Sequence, residues 1–97
     1  MSASLSTHVL DTERGRPAQN VQVEVHEGDR LVAEGRTDDD GRIAELGTDL
    51  TPGVYRLVFH PPSPFFRRVE LEVELGDGHT HVPLLVSSYA CASYRGS

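Results

Sequence analysis

Residues 68–75 read Arg-Val-Glu-Leu-Glu-Val-Glu-Leu, an unbroken alternation of charged and apolar side chains. Successive side chains of an extended chain point to opposite faces, so this stretch predicts a β-strand with one buried and one solvated face. Residues 20–26, Asn-Val-Gln-Val-Glu-Val-His, alternate in the same way. Apolar residues at helical spacing are not found over the length of a helix, and the pattern therefore indicates an all-β protein.

Clusters of Gly, Pro and Asp, such as Asp38-Asp-Asp-Gly41, separate the alternating stretches and predict turns. Between these turns we predict eight strands: Leu5–Asp11, Asn20–His26, Arg30–Thr37, Arg42–Leu46, Gly53–His60, Arg67–Leu75, His79–Val86 and Tyr89–Arg95. Short strands at intervals of about 8–12 residues are typical of a β-sandwich or barrel. Pro61-Pro-Ser-Pro64 predicts a rigid connector, because proline cannot donate ladder hydrogen bonds.

The size and charge of the chain exclude several classes of protein. Its 97 residues, 37% of them hydrophobic, predict one domain spanning residues 1–97. The balance of 9 basic against 15 acidic residues gives a net charge of −6, which argues against nucleic-acid or membrane-surface binding. A single cysteine, Cys91, excludes an internal disulfide. With no secretory signal and no apolar segment of about 20 residues, we expect a cytoplasmic protein.

Two features point to more than one copy of the chain. A domain of this size buries only roughly 60–65% of the surface its unfolded form exposes, so we expect a substrate-sized site to borrow walls from a second copy. Residues 82–86, Val-Pro-Leu-Leu-Val, are apolar on both predicted faces. We interpret one of these faces as a subunit interface.

Histidines are the main candidates for chemistry, and they stand at positions 8, 26, 60, 79 and 81. His79 and His81 lie two residues apart on a predicted strand, so both rings point to the same face. Each histidine is compatible with an ordinary half-buried or surface role. A zinc site that joins this pair to His8 and a carboxylate is a second hypothesis, although a His-x-His pair alone is weak support for it.

General acid–base catalysis is a third hypothesis. A neutral histidine near its reference pKa of about 6.5 can activate water, and a nearby cation can hold the negative charge that develops. Candidate cations are Arg36, Arg42 and Arg95. Arg42 follows the acidic turn, which is expected to fix the start of its strand and lacks the ligand spacing of a calcium-binding EF-hand.

Four motifs resemble those of the transthyretin-related 5-hydroxyisourate hydrolases, in that family's order and over nearly the whole chain. They are Leu5-Ser-Thr-His-Val-Leu-Asp-Thr12 with Gly15-Arg-Pro-Ala18, Thr37-Asp-Asp-Asp-Gly-Arg42, His79-Thr-His-Val-Pro-Leu-Leu85, and the ending Tyr94-Arg-Gly-Ser97. The ending resembles the tetrapeptide that distinguishes the hydrolases from the hormone-carrying transthyretins.

The resemblance implies a transthyretin-like (immunoglobulin-like) β-sandwich of about eight strands, assembled as a homotetramer with active sites between dimers. It implies hydrolysis of 5-hydroxyisourate to 2-oxo-4-hydroxy-4-carboxy-5-ureidoimidazoline, without a metal or other cofactor. The catalytic residues it implies are His8, Arg42 and His81, and it does not assign which histidine is the base. The substrate-binding residues it implies are Tyr94, Arg95, Gly96 and Ser97.

The chain also departs from the family it resembles. About ten residues are missing at the connector His60–Phe66, so we expect the family's usual short helix to be shortened or absent. Ala92 stands where the family has a serine before the ending. The alternative function is a non-enzymatic carrier of small aromatic ligands, against which bulky Tyr94 and Arg95 argue because they would close an open channel.

Overall fold

Ten β-strands form two sheets in the computed structural model, which describes residues 2–96. The strands are Ala3–Asp11 (β1), Arg16–Pro17 (β2), Gln22–Glu27 (β3), Arg30–Arg36 (β4), Arg42–Leu50 (β5), Gly53–Phe59 (β6), Val69–Leu75 (β7), Gly78–His81 (β8), Leu84–Val86 (β9) and Cys91–Ser93 (β10). Residues 2–96 contain no helical segment, and accordingly none long and apolar enough to cross a membrane. The prediction of an all-β fold with the short helix shortened or absent is confirmed.

Strand β1 organises the larger sheet. It pairs antiparallel with β2 and β5 and parallel with β8 and β9, while β10 adds to β9. The smaller sheet has the order β4-β3-β6-β7, with all neighbours antiparallel.

The core lies between the two sheets and follows from the alternation in the sequence. Leu5 and Val9 of β1 face Val23 of β3 and Leu57 and Phe59 of β6, and all five are fully buried. Thr7 lies on the same inward face and is also buried, so the alternation points Ser4, Ser6 and His8 to the outer face of the larger sheet.

The prediction of one continuous strand over His79–Val86 is wrong, because the hydrogen-bond ladder with β1 stops after β8 and resumes at β9. Pro83 lies at the break and has no N–H to donate to β1. The chain is held at the break by Val82 N, which donates to Ser6 O at 3.0 Å, and by Thr7 Oγ1, which donates to Val82 O at 2.6 Å. Both halves thus remain parallel to β1.

The apolar stretch Val82–Val86 is mostly buried within its own chain. Val82, Leu84 and Val86 belong to the core, and of the five residues only Leu85 is half-buried rather than buried. The fold thus covers most of this apolar surface, and the interpretation that one face of the stretch meets another subunit stays a prediction that concerns the partly exposed Leu85.

Other strand ends differ from the prediction by a few residues. Predicted Tyr89–Arg95 shortens to Cys91–Ser93, and predicted Arg42–Leu46 extends to Leu50. The connector is confirmed as irregular. In it Ser63 Oγ accepts from the main-chain N–H groups of Phe65 and Phe66 at 3.1 and 2.9 Å and donates to Ser88 O at 2.9 Å.

Candidate active site

His8 and Arg42 are direct cross-strand partners on the outer face of the larger sheet. The register of β1 and β5 pairs the two residues, and directly paired residues project to the same face. The side chain of His8 is half-buried, whereas Arg42 is exposed. A base and a permanent cation are therefore placed side by side at an accessible surface.

The acidic turn positions Arg42, as the sequence predicted. Asp38 Oδ1 accepts from the main-chain N–H groups of Asp40 and Arg42 at 2.9 and 3.0 Å. The Arg42 N–H is the main reason why the pKa of Asp38 lies below its usual range. The carboxylate thus closes the turn, and β5 begins at Arg42.

Gly41 is required where the turn meets β1. Its φ is 75°, a left-handed conformation that costs other residues free energy. Its carbonyl accepts from Val9 N at 2.7 Å, and a Cβ at this position would lie 2.5 Å from Val9 O. The main chain of the turn is consequently packed against the main chain of β1 one residue after His8.

The tautomer of His8 follows from its partner in the same turn. His8 Nε2 lies 2.9 Å from the carbonyl oxygen of Asp40. A carbonyl oxygen only accepts, so Nε2 carries the hydrogen and donates it. When the ring is neutral, Nδ1 is then the nitrogen that can take up a proton.

A row of hydrogen bonds joins β1 to β8 on this outer face. The parallel register pairs Ser4 with His79 and Ser6 with His81. Ser4 Oγ lies 2.7 Å from His79 Nδ1, His79 Nε2 lies 2.8 Å from Ser6 Oγ, and Ser6 Oγ lies 2.7 Å from His81 Nδ1. We call these four side chains the Ser–His row.

His81 lies at the inner end of the Ser–His row and remains neutral more readily than a free histidine. Burial is the main cause that lowers the pKa of His81, and the positive charges of Arg42, His8 and His79 lower it further. These charges act on His81 because the three side chains stand close to it on the same face. A neutral ring is the form that can accept a proton from water.

The end of the chain packs against His81. Gly96 N donates to His81 O at 2.7 Å, and a Cβ on Gly96 would lie 2.8 Å from His81 Cδ2. Only a residue without a side chain fits this approach. Ser97, the last of the predicted substrate-binding residues, lies outside the described residues.

Tyr94 and Arg95 are not brought to the histidines within one chain. Both side chains are exposed, and they line a cleft of about 480 Å³ that also includes Thr80 and residues 70–74 of β7. Thr80 points away from His79 and His81 because neighbouring residues of a strand alternate. The structure thus places Gly96 at the histidine cluster and Tyr94 and Arg95 beside it, at the edge of the sandwich.

Arg36, another candidate cation, does not lie in the sheet that carries His8 and Arg42. It belongs to the opposite sheet, where its Nη1 donates to Asn20 O at 3.3 Å.

The hypothesis of a zinc site concerns the same histidines. Between residues 2 and 96, no group of three or more His, Cys, Asp or Glu side chains is arranged to hold a metal ion. Both ring nitrogens of His79 are instead within hydrogen-bonding distance of serine hydroxyls.

Ser4 and Ser6 were missed as site residues by the sequence reasoning. Their alternation with Leu5 places them on the face of His8, and this signal is present in the sequence. Their pairing with His79 and His81 depends on the parallel contact between β1 and β8, which joins segments more than 70 residues apart. No local pattern specifies that contact.

The chain resembles known proteins over its whole length. A family model described as the HIUase/Transthyretin family matches residues 5–96. The chain is 38% identical to 5-hydroxyisourate hydrolase 2 of Rhizobium meliloti, covering 99% of this chain and 98% of the relative. It is 40% identical to the 5-hydroxyisourate hydrolase of Caulobacter vibrioides, covering 98% and 99%. Both alignments, of 117 and 114 positions, are longer than the 97 residues of this chain.

A solved structure agrees with these matches. The structure of Klebsiella pneumoniae 5-hydroxyisourate hydrolase superposes with a TM-score of 0.90 at 33% identity and covers all of both chains. The sandwich described above, with its β1-centred sheet, is thus the fold of that protein. By its sequence and by its fold, this chain belongs to the HIUase/transthyretin family.

Proposed function

We propose that this chain hydrolyses 5-hydroxyisourate to 2-oxo-4-hydroxy-4-carboxy-5-ureidoimidazoline. The observation that carries the proposal is the convergence of His8, Arg42 and His81 on one outer face, in a fold whose relatives bear the name of that hydrolase. The three residues come from β1, β5 and β8, so the fold and not the local sequence assembles them.

The reaction needs a base, an acid and a cation. The oxygen of water forms a bond to a ring carbonyl carbon, and the bond from that carbon to the ring nitrogen breaks. One proton leaves the water, and one proton is delivered to the departing nitrogen. The guanidinium of Arg42 offers a planar set of donors that can hold the ring and stabilise the oxyanion.

We assign the first proton transfer to His8 in this proposal. Its Nε2 donates a hydrogen bond to Asp40 O, so Nδ1 is the nitrogen that takes the proton from water. His81 then donates a proton to the departing nitrogen from Nε2, the ring nitrogen that makes no hydrogen bond to Ser6. In this proposal Arg42, the cross-strand partner of His8, holds the carbonyl oxygen beside the attacking water.

The proposal includes a homotetramer in the cytoplasm. Arg42 is exposed and His8 and His81 are only half-buried in the single chain, so one copy leaves the candidate site open to water. A neighbouring copy that covers this face would enclose the substrate and strengthen the electrostatic contacts. Sedimentation velocity measures the assembly, and a monomer at micromolar concentration would contradict this part of the proposal.

The direct test is the decay of freshly generated 5-hydroxyisourate, followed by its ultraviolet absorbance. Wild-type protein is expected to accelerate the decay. We expect Arg42→Ala, His8→Asn and His81→Asn each to lower kcat about 100-fold or more, since general acid–base groups and oxyanion donors typically contribute factors of this order.

The matched control is His26→Asn. His26 lies in the smaller sheet, where its Nε2 is 2.8 Å from Glu24 Oε1, and we expect this variant to keep the wild-type rate. Wild-type protein that leaves the decay rate unchanged would overturn the proposal. Binding of small aromatic ligands without turnover would then favour the carrier.

A further inference from the structure

The hydrogen bonds of the Ser–His row depend on one another, because they share donors and acceptors. A neutral imidazole has one N–H and one acceptor nitrogen, and a hydroxyl has one hydrogen to donate. Ser6 Oγ bridges His79 Nε2 and His81 Nδ1, so it cannot donate to both rings. Ser6 is buried, and among the described residues its hydroxyl is within hydrogen-bonding distance of only these two rings, so its hydrogen is satisfied when it donates to one ring and accepts from the other. With both rings neutral and Ser6 donating within the row, the direction of one hydrogen bond sets the direction of the others.

Two arrangements satisfy every contact in the row and also use the Ser6 hydrogen, whereas a third, in which both rings donate to Ser6, leaves that hydrogen without a partner in the row. In the first, Ser4 donates to His79 Nδ1, His79 Nε2 donates to Ser6, and Ser6 donates to His81 Nδ1. In the second, every hydrogen bond is reversed, and His81 Nδ1 carries the hydrogen. His79 and His81 consequently hold the same tautomer in either arrangement, and both tautomers change together when the row reverses.

We infer that Ser6 and His79 are positioning residues that set the tautomer of His81 and let it exchange a proton at Nε2 while its ring stays neutral. When His81 gives up the Nε2 proton, it receives one from Ser6 at Nδ1. Ser6 is resupplied by His79 and His79 by Ser4, which takes a proton from solvent. The reverse sequence returns a proton from the site to solvent. The catalytic part of this inference rests on the proposed hydrolysis.

The surroundings of His81 explain why such a row is useful. His8, Arg42 and His79 are the titratable and charged groups that disfavour a positive charge on His81, together with its burial. An imidazolium would therefore be costly at this position. Proton exchange along hydrogen bonds avoids forming it.

The row is not needed to hold the two strands together. Strands β1 and β8 are already paired through their main chains over four residue pairs, from Ala3 with Gly78 to Ser6 with His81. Ser6 O also accepts from Val82 N just beyond the strand. Four polar side chains linked at 2.7–2.8 Å on one face are thus an addition to a complete ladder.

The first test measures the ring-nitrogen signals of His81 by long-range ¹H–¹⁵N NMR spectroscopy, at a pH where the rings are neutral. His79→Ala is expected to change the tautomer balance of His81 in the wild-type background. In a Ser6→Ala background the same change is expected to have no effect on His81. His26→Ala is the histidine control and is expected to leave the His81 signals unchanged.

The second test measures kcat and KM for the hydrolysis. We expect Ser6→Ala and His79→Ala each to lower kcat about 10- to 100-fold with little change in KM, and the double variant to be no slower than the slower single variant. Ser87→Ala is the serine control, because within residues 2–96 the Ser87 hydroxyl bonds to Ala90 O in its own turn and not to a histidine. We expect the control to keep the wild-type kcat.

The two readouts separate this inference from the proposed function. If His79→Ala leaves the tautomer of His81 unchanged, or changes it equally in the Ser6→Ala background, the coupling through Ser6 is wrong. If the NMR coupling is present but the single variants keep the wild-type kcat, the catalytic role is wrong. Absence of any hydrolysis by the wild-type protein would instead overturn the proposed function, and the coupling would still be measured.

Discussion

His8 and Arg42 are held opposite each other from two directions, by the register of β1 with β5 and by the turn that precedes Arg42. The register pairs their Cα positions, and His8 Nε2 donates to Asp40 O in the turn. Gly41 then bonds to Val9, the residue after His8. Changes in the turn should therefore reach both side chains at once.

Gly41→Ala is the most severe change we predict in this turn. The new Cβ would lie 2.5 Å from Val9 O, at a φ of 75°, so the turn must move away from β1. We expect the free energy of unfolding to fall by about 3 kcal/mol or more, and kcat/KM to fall with it. Urea unfolding and the absorbance assay measure the two effects.

Gly28→Ala is the matched control for this change. Gly28 has a similar φ of 60°, but a Cβ there meets no atom within 4 Å. We expect a loss of about 1 kcal/mol and unchanged kinetics. Equal losses for both variants would show that strain of the main chain alone, and not the contact with β1, accounts for the requirement at Gly41.

Asp38→Ala tests whether the carboxylate of the turn positions Arg42. The substitution removes the acceptor of the Asp40 and Arg42 N–H groups, so we expect the start of β5 to loosen and kcat/KM to fall about tenfold. Asp39→Ala is the control, because Asp39 accepts a hydrogen bond from Gln19 Nε2 through its main-chain carbonyl, which alanine keeps. A rate for Asp38→Ala that equals that of Asp39→Ala would contradict the positioning role.

The fold could be predicted from the sequence to the extent that it depends on local alternation. Strand β7 ends at the predicted Leu75 and starts two residues after the predicted Arg67, because period-two patterning decides which face is buried. Pro83 lacks an N–H donor and therefore indicates an edge or a strand end within the predicted strand His79–Val86. Only the tertiary contacts of Val82 show where the ladder stops.

The candidate site could be predicted less completely. His8, Arg42 and His81 were named through a resemblance, and the structure brings them to one face. Ser6 was not named, because its role depends on a parallel pairing with His81 across most of the chain. Tyr94 and Arg95 lie at the edge of the sandwich beside β7, a placement that depends on tertiary pairing and that no local pattern specifies.

The pH dependence of His81 follows from its surroundings. Burial and the charges of Arg42, His8 and His79 lower its pKa, so the folded protein binds a proton here at a lower pH than the unfolded chain. We expect His81 to titrate below about 6.5, the value of an unperturbed histidine, and to stay neutral at pH 7. Its contribution to stability is then present at neutral pH and decreases as the pH falls below 6.5.

Histidine NMR titration measures this pKa directly. In Arg42→Gln the pKa of His81 is expected to rise, because one of the positive charges is removed. Since Arg42 is exposed, added salt should reduce the difference between the two proteins. A wild-type His81 that titrates at or above 6.5 would contradict the prediction, and so would an unchanged pKa in the variant at low salt.

Gly96→Ala tests whether the end of the chain acts on His81 by close contact. A Cβ at this position would lie 2.8 Å from Cδ2 and 3.1 Å from O of His81, so either the ring or the end of the chain must shift. We expect kcat to fall about tenfold or more, with little loss of stability because the neighbouring residues Tyr94 and Arg95 are exposed and lie outside the core. Gly76→Ala is the control, since a Cβ there meets nothing within 4 Å. Wild-type kcat in Gly96→Ala would show that the approach of the chain end to His81 has no part in the reaction.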